Sequence, residues 1–151
     1  MRLAIALSIL IALVACGKKP VVELNKKFDN GWVIHDTVSF EFNFNDSVSG
    51  YNMFFELEHG PNYPYSNFFL FTDNWTPTGK YYRDTIECYL AKPDGEWLGN
   101  SSRSSVNHKV LFKKNIRFPE GGMYRMKWVH GMRDTTLSDV KEIGFIIEKE
   151  A

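Results

Sequence analysis

An all-β fold, a single antiparallel β-sandwich of about seven or eight strands with jelly-roll or immunoglobulin-like connections, is what this 151-residue chain predicts from its sequence. Three observations point there. Phe, Tyr and Trp make up 15% of the residues, and such rings fit a pleated, half-buried surface better than a helix. Several segments alternate apolar and polar residues with a period of two, as a strand does when one face meets a core and the other meets water. Clusters of Gly, Pro, Asn and Asp separate those segments at intervals of about 8 to 15 residues, a spacing suited to a sandwich. Helical periodicity is confined to a single turn near Thr136 to Lys141.

The chain opens on a leader. Arg2 supplies positive charge, and Leu3 to Ala15 form an apolar run broken only by Ser8 and ending in small residues, as cleavable export signals do. The run is shorter than the ~20 residues needed to span a bilayer. Leu13-Val14-Ala15-Cys16 resembles the lipobox of bacterial lipoproteins, which implies cleavage after Ala15 and a covalent lipid on Cys16 that holds the chain to a membrane. Residues 1–15 are therefore read as a lipoprotein signal peptide, 16–27 as the lipidated N-terminus and an extended tether bearing Lys18, Lys19, Lys26 and Lys27, and 28–151 as the sandwich domain.

The strands follow in order. Val38, Phe40, Phe42 and Phe44 alternate with Ser39, Glu41 and Asn43, and the turn Asp46 to Gly50 leads to Tyr51, Met53, Phe55 and Leu57 alternating with Asn52, Phe54, Glu56 and Glu58. His59 to Tyr65 is a loop rich in breakers, ahead of an apolar strand from Phe68 to Thr72. Asn74 to Lys80 turns the chain into a strand from about Tyr82 to Ala91, and Lys92-Pro93-Asp94-Gly95 is a β-turn. Trp97 to Asn107 is polar and Ser-rich. Val110, Phe112, Ile116 and Phe118 predict one or two short strands interrupted near Lys113-Lys114. Pro119 to Gly122 precedes a strand from Met123 to His130, and a last strand runs from about Glu142 to Lys149.

Acidic and basic residues number 18 each, so the formal charge is zero, and loss of Arg2 with the leader leaves −1. That balance provides no electrostatic case for nucleic acid as a partner. Of the two cysteines, Cys16 carries the lipid and Cys88 shares the apolar phase of Ile86 and Leu90, the place of a small buried hydrophobe. No disulfide within the mature chain is expected. His35, His59, His108 and His130 lack short metal-ligand spacing, so no metal site is expected, and no nucleophile elbow or phosphate loop is present. Glu56 and Glu58 share one strand face, as on any solvated strand. The chain therefore reads as neither an enzyme nor the holder of a cofactor beyond the lipid on Cys16. Tyr63, Tyr65, Trp75 and Trp97 stand at loops, where rings either cap the core or remain free to anchor a protein partner or stack on a glycan.

One ordered set of residues carries a family pattern. Phe28 and Trp32, then Asn67, Leu70 and Phe71, then Pro77-Thr78-Gly79-Lys80, Asp84-Thr85 and Leu90-Ala91 resemble the gliding-motility lipoprotein family of GldH type. The likeness continues through Pro93-Asp94-Gly95, Leu98-Gly99-Asn100, Lys113, Gly122, Tyr124, Met132-Arg133 and Glu142 to Glu148. It implies a Bacteroidota envelope lipoprotein linked to gliding motility and type IX secretion, with the membrane and envelope proteins of that machine as partners. The family offers no catalytic residue to transfer, and only Cys16 carries over as a functional position. Gly17-Lys18-Lys19 lack the acidic cluster associated with surface export in that phylum, which places the expected location on the periplasmic face of the outer membrane. A lipid-anchored glycan-binding module using the loop aromatics is the alternative function.

Overall fold

The structure, a computed structural model, describes Gly17 and residues 19–151. The leader and Cys16 lie outside the described residues. Eleven strands follow one another: β1 (Val22–Lys27), β2 (Trp32–Val33), β3 (Val38–Phe44), β4 (Tyr51–His59), β5 (Asn67–Trp75), β6 (Tyr81–Tyr89), β7 (Asn100–Ser101), β8 (Val106–Ile116), β9 (Gly122–His130), β10 (Thr136–Leu137) and β11 (Val140–Lys149). Among the described residues there is no helix.

All pairings are antiparallel. One sheet has the order β1-β11-β4-β8-β7, a second β3-β9-β5-β6, and β10-β2 form a two-stranded third. The all-β, antiparallel reading holds, but eleven strands in three sheets replace the expected single sandwich of seven or eight. Three strands are only two residues long, too short for any alternation to report. The helical turn expected near Thr136 to Lys141 is instead β10 and the start of β11, held because Thr136 and Leu137 pair with Val33 and Trp32. Val22–Lys27, expected within the tether, is an edge strand paired along β11 from Val22 opposite Ile147 to Lys27 opposite Glu142.

Alternation works where strands are long. β3 reads buried-exposed throughout, with Val38, Phe40, Phe42 and Phe44 inward. β8 is continuous, and the break anticipated at Lys113-Lys114 is an irregularity in its register with β4 around Met53, where a bulge bends the strand without ending it. Gly31 has φ +80 and lies against the backbone of Leu137 and Ser138, so the approach of β2 to β10 requires a residue without a Cβ.

Inward rings join the two large sheets. Phe145 of β11 lies 6.0 Å from Phe40, 5.3 Å from Phe42 and 5.6 Å from Trp128, measured between ring centroids. Phe112 of β8 meets the same cluster through Trp128 at 6.1 Å. Phe55 opposite Phe68 and Phe44 opposite Tyr51 extend the contact toward either end. Phe40 and Phe145 are stacked and the other pairs are edge-on or tilted, in keeping with the preference of aromatic quadrupoles for offset or edge-to-face contact.

Phe145 is fully buried at the centre of this cluster. Phe145→Ala is expected to cost about 3–5 kcal/mol in urea unfolding. By contrast Val48→Ala, in an exposed turn, should change stability by no more than about 0.5 kcal/mol.

Candidate functional site

Antiparallel registers define two ends of the molecule. At the proximal end β1 starts, β11 ends opposite Tyr51, β8 ends at Ile116, β3 ends opposite Gly122 and β5 turns into β6. At the distal end β4 stops at His59, β8 starts, and the connections of 60–66 and 90–99 cross over the core.

The distal end gathers three of the four ring candidates. Tyr63 lies 5.8 Å from Tyr65 and 6.4 Å from Trp97, at interplanar angles of 69° and 53°. Tyr63 is buried, with its hydroxyl donating to the Asn67 carbonyl at 3.1 Å, and Trp97 is half-buried. Burial raises the Tyr63 hydroxyl pKa far above its ordinary value. Tyr65 is also raised, chiefly by its hydrogen bond with Asp134.

Two histidines complete this cluster, brought together although sequence spacing held them apart. His59 sits 4.6 Å from Trp97 and 4.8 Å from Tyr63, and its Nε2 is 2.9 Å from Nε2 of His108. Nδ1 of His59 is 2.6 Å from the Gly60 carbonyl. A carbonyl only accepts, so His59 Nδ1 carries the hydrogen and its Nε2 is an acceptor. His108 Nε2–H therefore donates to it, which fixes the tautomer of both neutral rings. Burial pushes His59 down, and pushes His108 down to about 4 with a further contribution from His59. His59 follows Leu57 in the inward phase of β4, and that phase was a signal for burial. The pairing itself depends on the register that sets Leu57 opposite His108.

Trp75 stands at the proximal end, away from the other three. Its ring is 5.3 Å from Tyr81, with Lys127 Nζ 5.7 Å from its centroid. It lines a cavity of about 300 Å³ whose walls include Phe42, Met53, Tyr82, Phe118 and Met126.

The lateral face between β6 and β8 is the third feature. β6 ends its sheet, so one side of its backbone has no strand partner. Tyr81, Tyr82 and Tyr89 are exposed along it, with Leu98 beside Tyr89 in a hollow of about 620 Å³ and Leu111 exposed on β8. Lys113 spans the gap, 2.7 Å from Asp84 and 5.9 Å from the Tyr82 ring.

Other candidates are placed as follows. Cys88 is buried, and burial pushes its thiol up to about 12, so it is not a ready thiolate. Glu56 and Glu58 border only a dent of about 40 Å³ on an outer sheet face, far below the ~300 Å³ at which ligand pockets begin. Among the described residues no group of three or more His, Cys, Asp and Glu side chains is placed to hold a metal.

The comparisons with known proteins agree with one another. The family model of the GldH lipoproteins matches residues 20–147. The chain is 33% identical over 147 residues to a protein named gliding motility lipoprotein GldH homolog from Christiangramia forsetii, covering 93% of this chain and 90% of that one. It is 31% identical over 147 residues to the gliding motility lipoprotein GldH of Flavobacterium johnsoniae, covering 93% and 91%. No solved structure matches.

Because folding lowers the affinity of His108 for a proton from the ordinary 6.5 to about 4, the unfolded chain protonates first as pH falls. Stability is therefore complete above about pH 6.5 and declines toward pH 4. Urea unfolding at several pH values across that window should show this decline. His108→Gln should begin less stable at neutral pH and lose less across the same window; an unchanged slope would remove the pair as its source.

Proposed function

The chain belongs to the GldH lipoprotein family, and from that premise we propose that it is a non-enzymatic, lipid-anchored component of the bacterial cell envelope that scaffolds a gliding-motility and type IX secretion machine. Cys16 carries the lipid, the domain stands at the periplasmic face of the outer membrane, and its partners are envelope proteins of that machine. Residues 17–21 are all that separates Cys16 from β1, so the start of β1 is held within about 22 Å of the anchor even at full extension. Confinement to that layer raises its effective concentration toward partners in the same membrane.

The observation that carries the scaffold reading is the free edge of β6. Its backbone is open along one side, and Tyr81, Tyr82 and Tyr89 project beside it. An uncovered edge strand is a template for a partner strand, with exposed rings as anchors. A glycan platform wants rings presented in a plane to solvent; Tyr63, Tyr65 and Trp97 stand steeply tilted, with Tyr63 buried.

Crosslinking in intact cells tests the reading, comparing the native chain with Cys16→Ser and with Tyr89→Asp combined with Leu98→Asp. Envelope proteins recovered with the native chain should be lost or strongly depleted in both variants. Equal recovery from all three would refute the edge as the docking surface, and saccharide-rich material in place of protein would favour the glycan-binding module.

A further inference from the structure

We propose that the proximal cleft is a lipid-binding site that takes an acyl chain of an anionic phospholipid. The proposal goes beyond the scaffold reading and rests on it only for the source of the lipid, the membrane to which Cys16 tethers the domain.

The walls select for an apolar chain. Phe42, Met53, Phe118, Tyr124 and Met126 are all buried side chains of the core that reach this cleft. Asn74, the buried amide among the lining residues, already donates to the Thr72 carbonyl and hydroxyl and to the Tyr82 carbonyl, at 3.0 to 3.3 Å. Its donors are thus engaged, and a sugar or nucleotide would find little in the interior to replace its water. At about 300 Å³ the space is at the small end of ligand sites, suited to a slender chain or part of one.

The mouth selects for a negative head. Lys113, Arg117 and Arg125 line it, and of these Lys113 is already paired with Asp84 at 2.7 Å. Arg117 is exposed and makes no ion pair among the described residues, and Arg125 meets only the exposed Glu41 at 3.4 Å, a contact worth little in water. Trp75 and Tyr82, rings with one polar atom each, stand at the same opening, the type of side chain that concentrates at the boundary between headgroups and water.

The cleft also lies at the right end of the molecule. Ile147 opposite Val22, Lys149 opposite Tyr51 and Tyr51 opposite Ile116 carry the start of β1 across its sheet to the end of β8. Phe44, Tyr51 and Phe118 then join the two sheets there, with centroids 4.3 to 5.9 Å apart. The rim is tied in place where Thr78 Oγ1 donates to Glu120 at 2.6 Å and Lys80 pairs with Glu120 at 3.2 Å. The short connection to Cys16 leaves from this end with the start of β1, so the cleft lies at the end of the domain nearest the anchor.

Photocrosslinking tests this with the full-length lipidated protein in phosphatidylethanolamine vesicles that carry a diazirine-tailed phosphatidylglycerol or, separately, a diazirine-tailed phosphatidylcholine. Peptide mass spectrometry should place the anionic probe on Met53, Phe118 or Met126 in preference to the zwitterionic one. Arg117→Glu with Arg125→Glu should cut that labelling about thirty-fold, the scale set by removing two cations near an anionic headgroup. Met126→Trp, checked for folding by thermal unfolding, should block it by filling the cleft. Diazirine-bearing dodecanoate added in solution to the Cys16→Ser chain provides an arm that does not need the anchor; labelling of the same residues supports the cleft even if intact mass finds no lipid on Cys16. Labels confined to exposed residues such as Val48 and Met123, or equal labelling by both phospholipid probes that the arginine variants leave unchanged, would overturn the proposal.

Discussion

The packing of rings between the two large sheets is the interaction on which the rest of this structure depends. Phe145 lies among Phe40, Phe42 and Trp128, so a residue near the C-terminus holds strands from the first half of the chain and from β9 in a single core. Each fully buried ring of this size removes enough apolar surface from water to contribute a few kcal/mol. Registers are set by the same contacts, because sliding one strand by a single residue would turn every ring to the solvent face.

From that core the two ends acquire different characters. The pairing of β1 with β11 clips the first strand to the last and shortens the connection toward Cys16 to a few residues. The distal end closes over a buried pair of neutral histidines whose hydrogen bonds are mutually satisfied, a polar contact that low dielectric tolerates only while each donor has its acceptor.

The lateral face is left open by the strand order. β6 terminates its sheet, and most of β8 has β4 on one side and only the two-residue β7 near its start on the other. Lys113, Asp84 and the Tyr82 ring bridge the gap at one point. Charged side chains along such edges discourage indiscriminate pairing, and Arg83, held by Asp73 through contacts of 2.7 and 2.8 Å, serves that purpose beside the exposed tyrosines. An edge that is open but guarded suits a specific partner better than aggregation, in keeping with a family named for gliding-motility lipoproteins.

Alternation in the sequence by itself determined the all-β class and which residues of the long strands face inward, as with Phe40 and Phe42 on β3 and Met53 and Phe55 on β4. It could do so because a strand's side chains repeat every two residues whatever lies beside it. Only the tertiary structure decided which strands are neighbours, since period two names a face and never a partner. Hence β1 emerged from a stretch read as tether, the two-residue β2, β7 and β10 went unseen, and His59 met His108 across a register that no local pattern encodes. The same long-range pairing separated Trp75 from Tyr63, Tyr65 and Trp97, placing one ring at the cleft near the start of β1 and three at the opposite end.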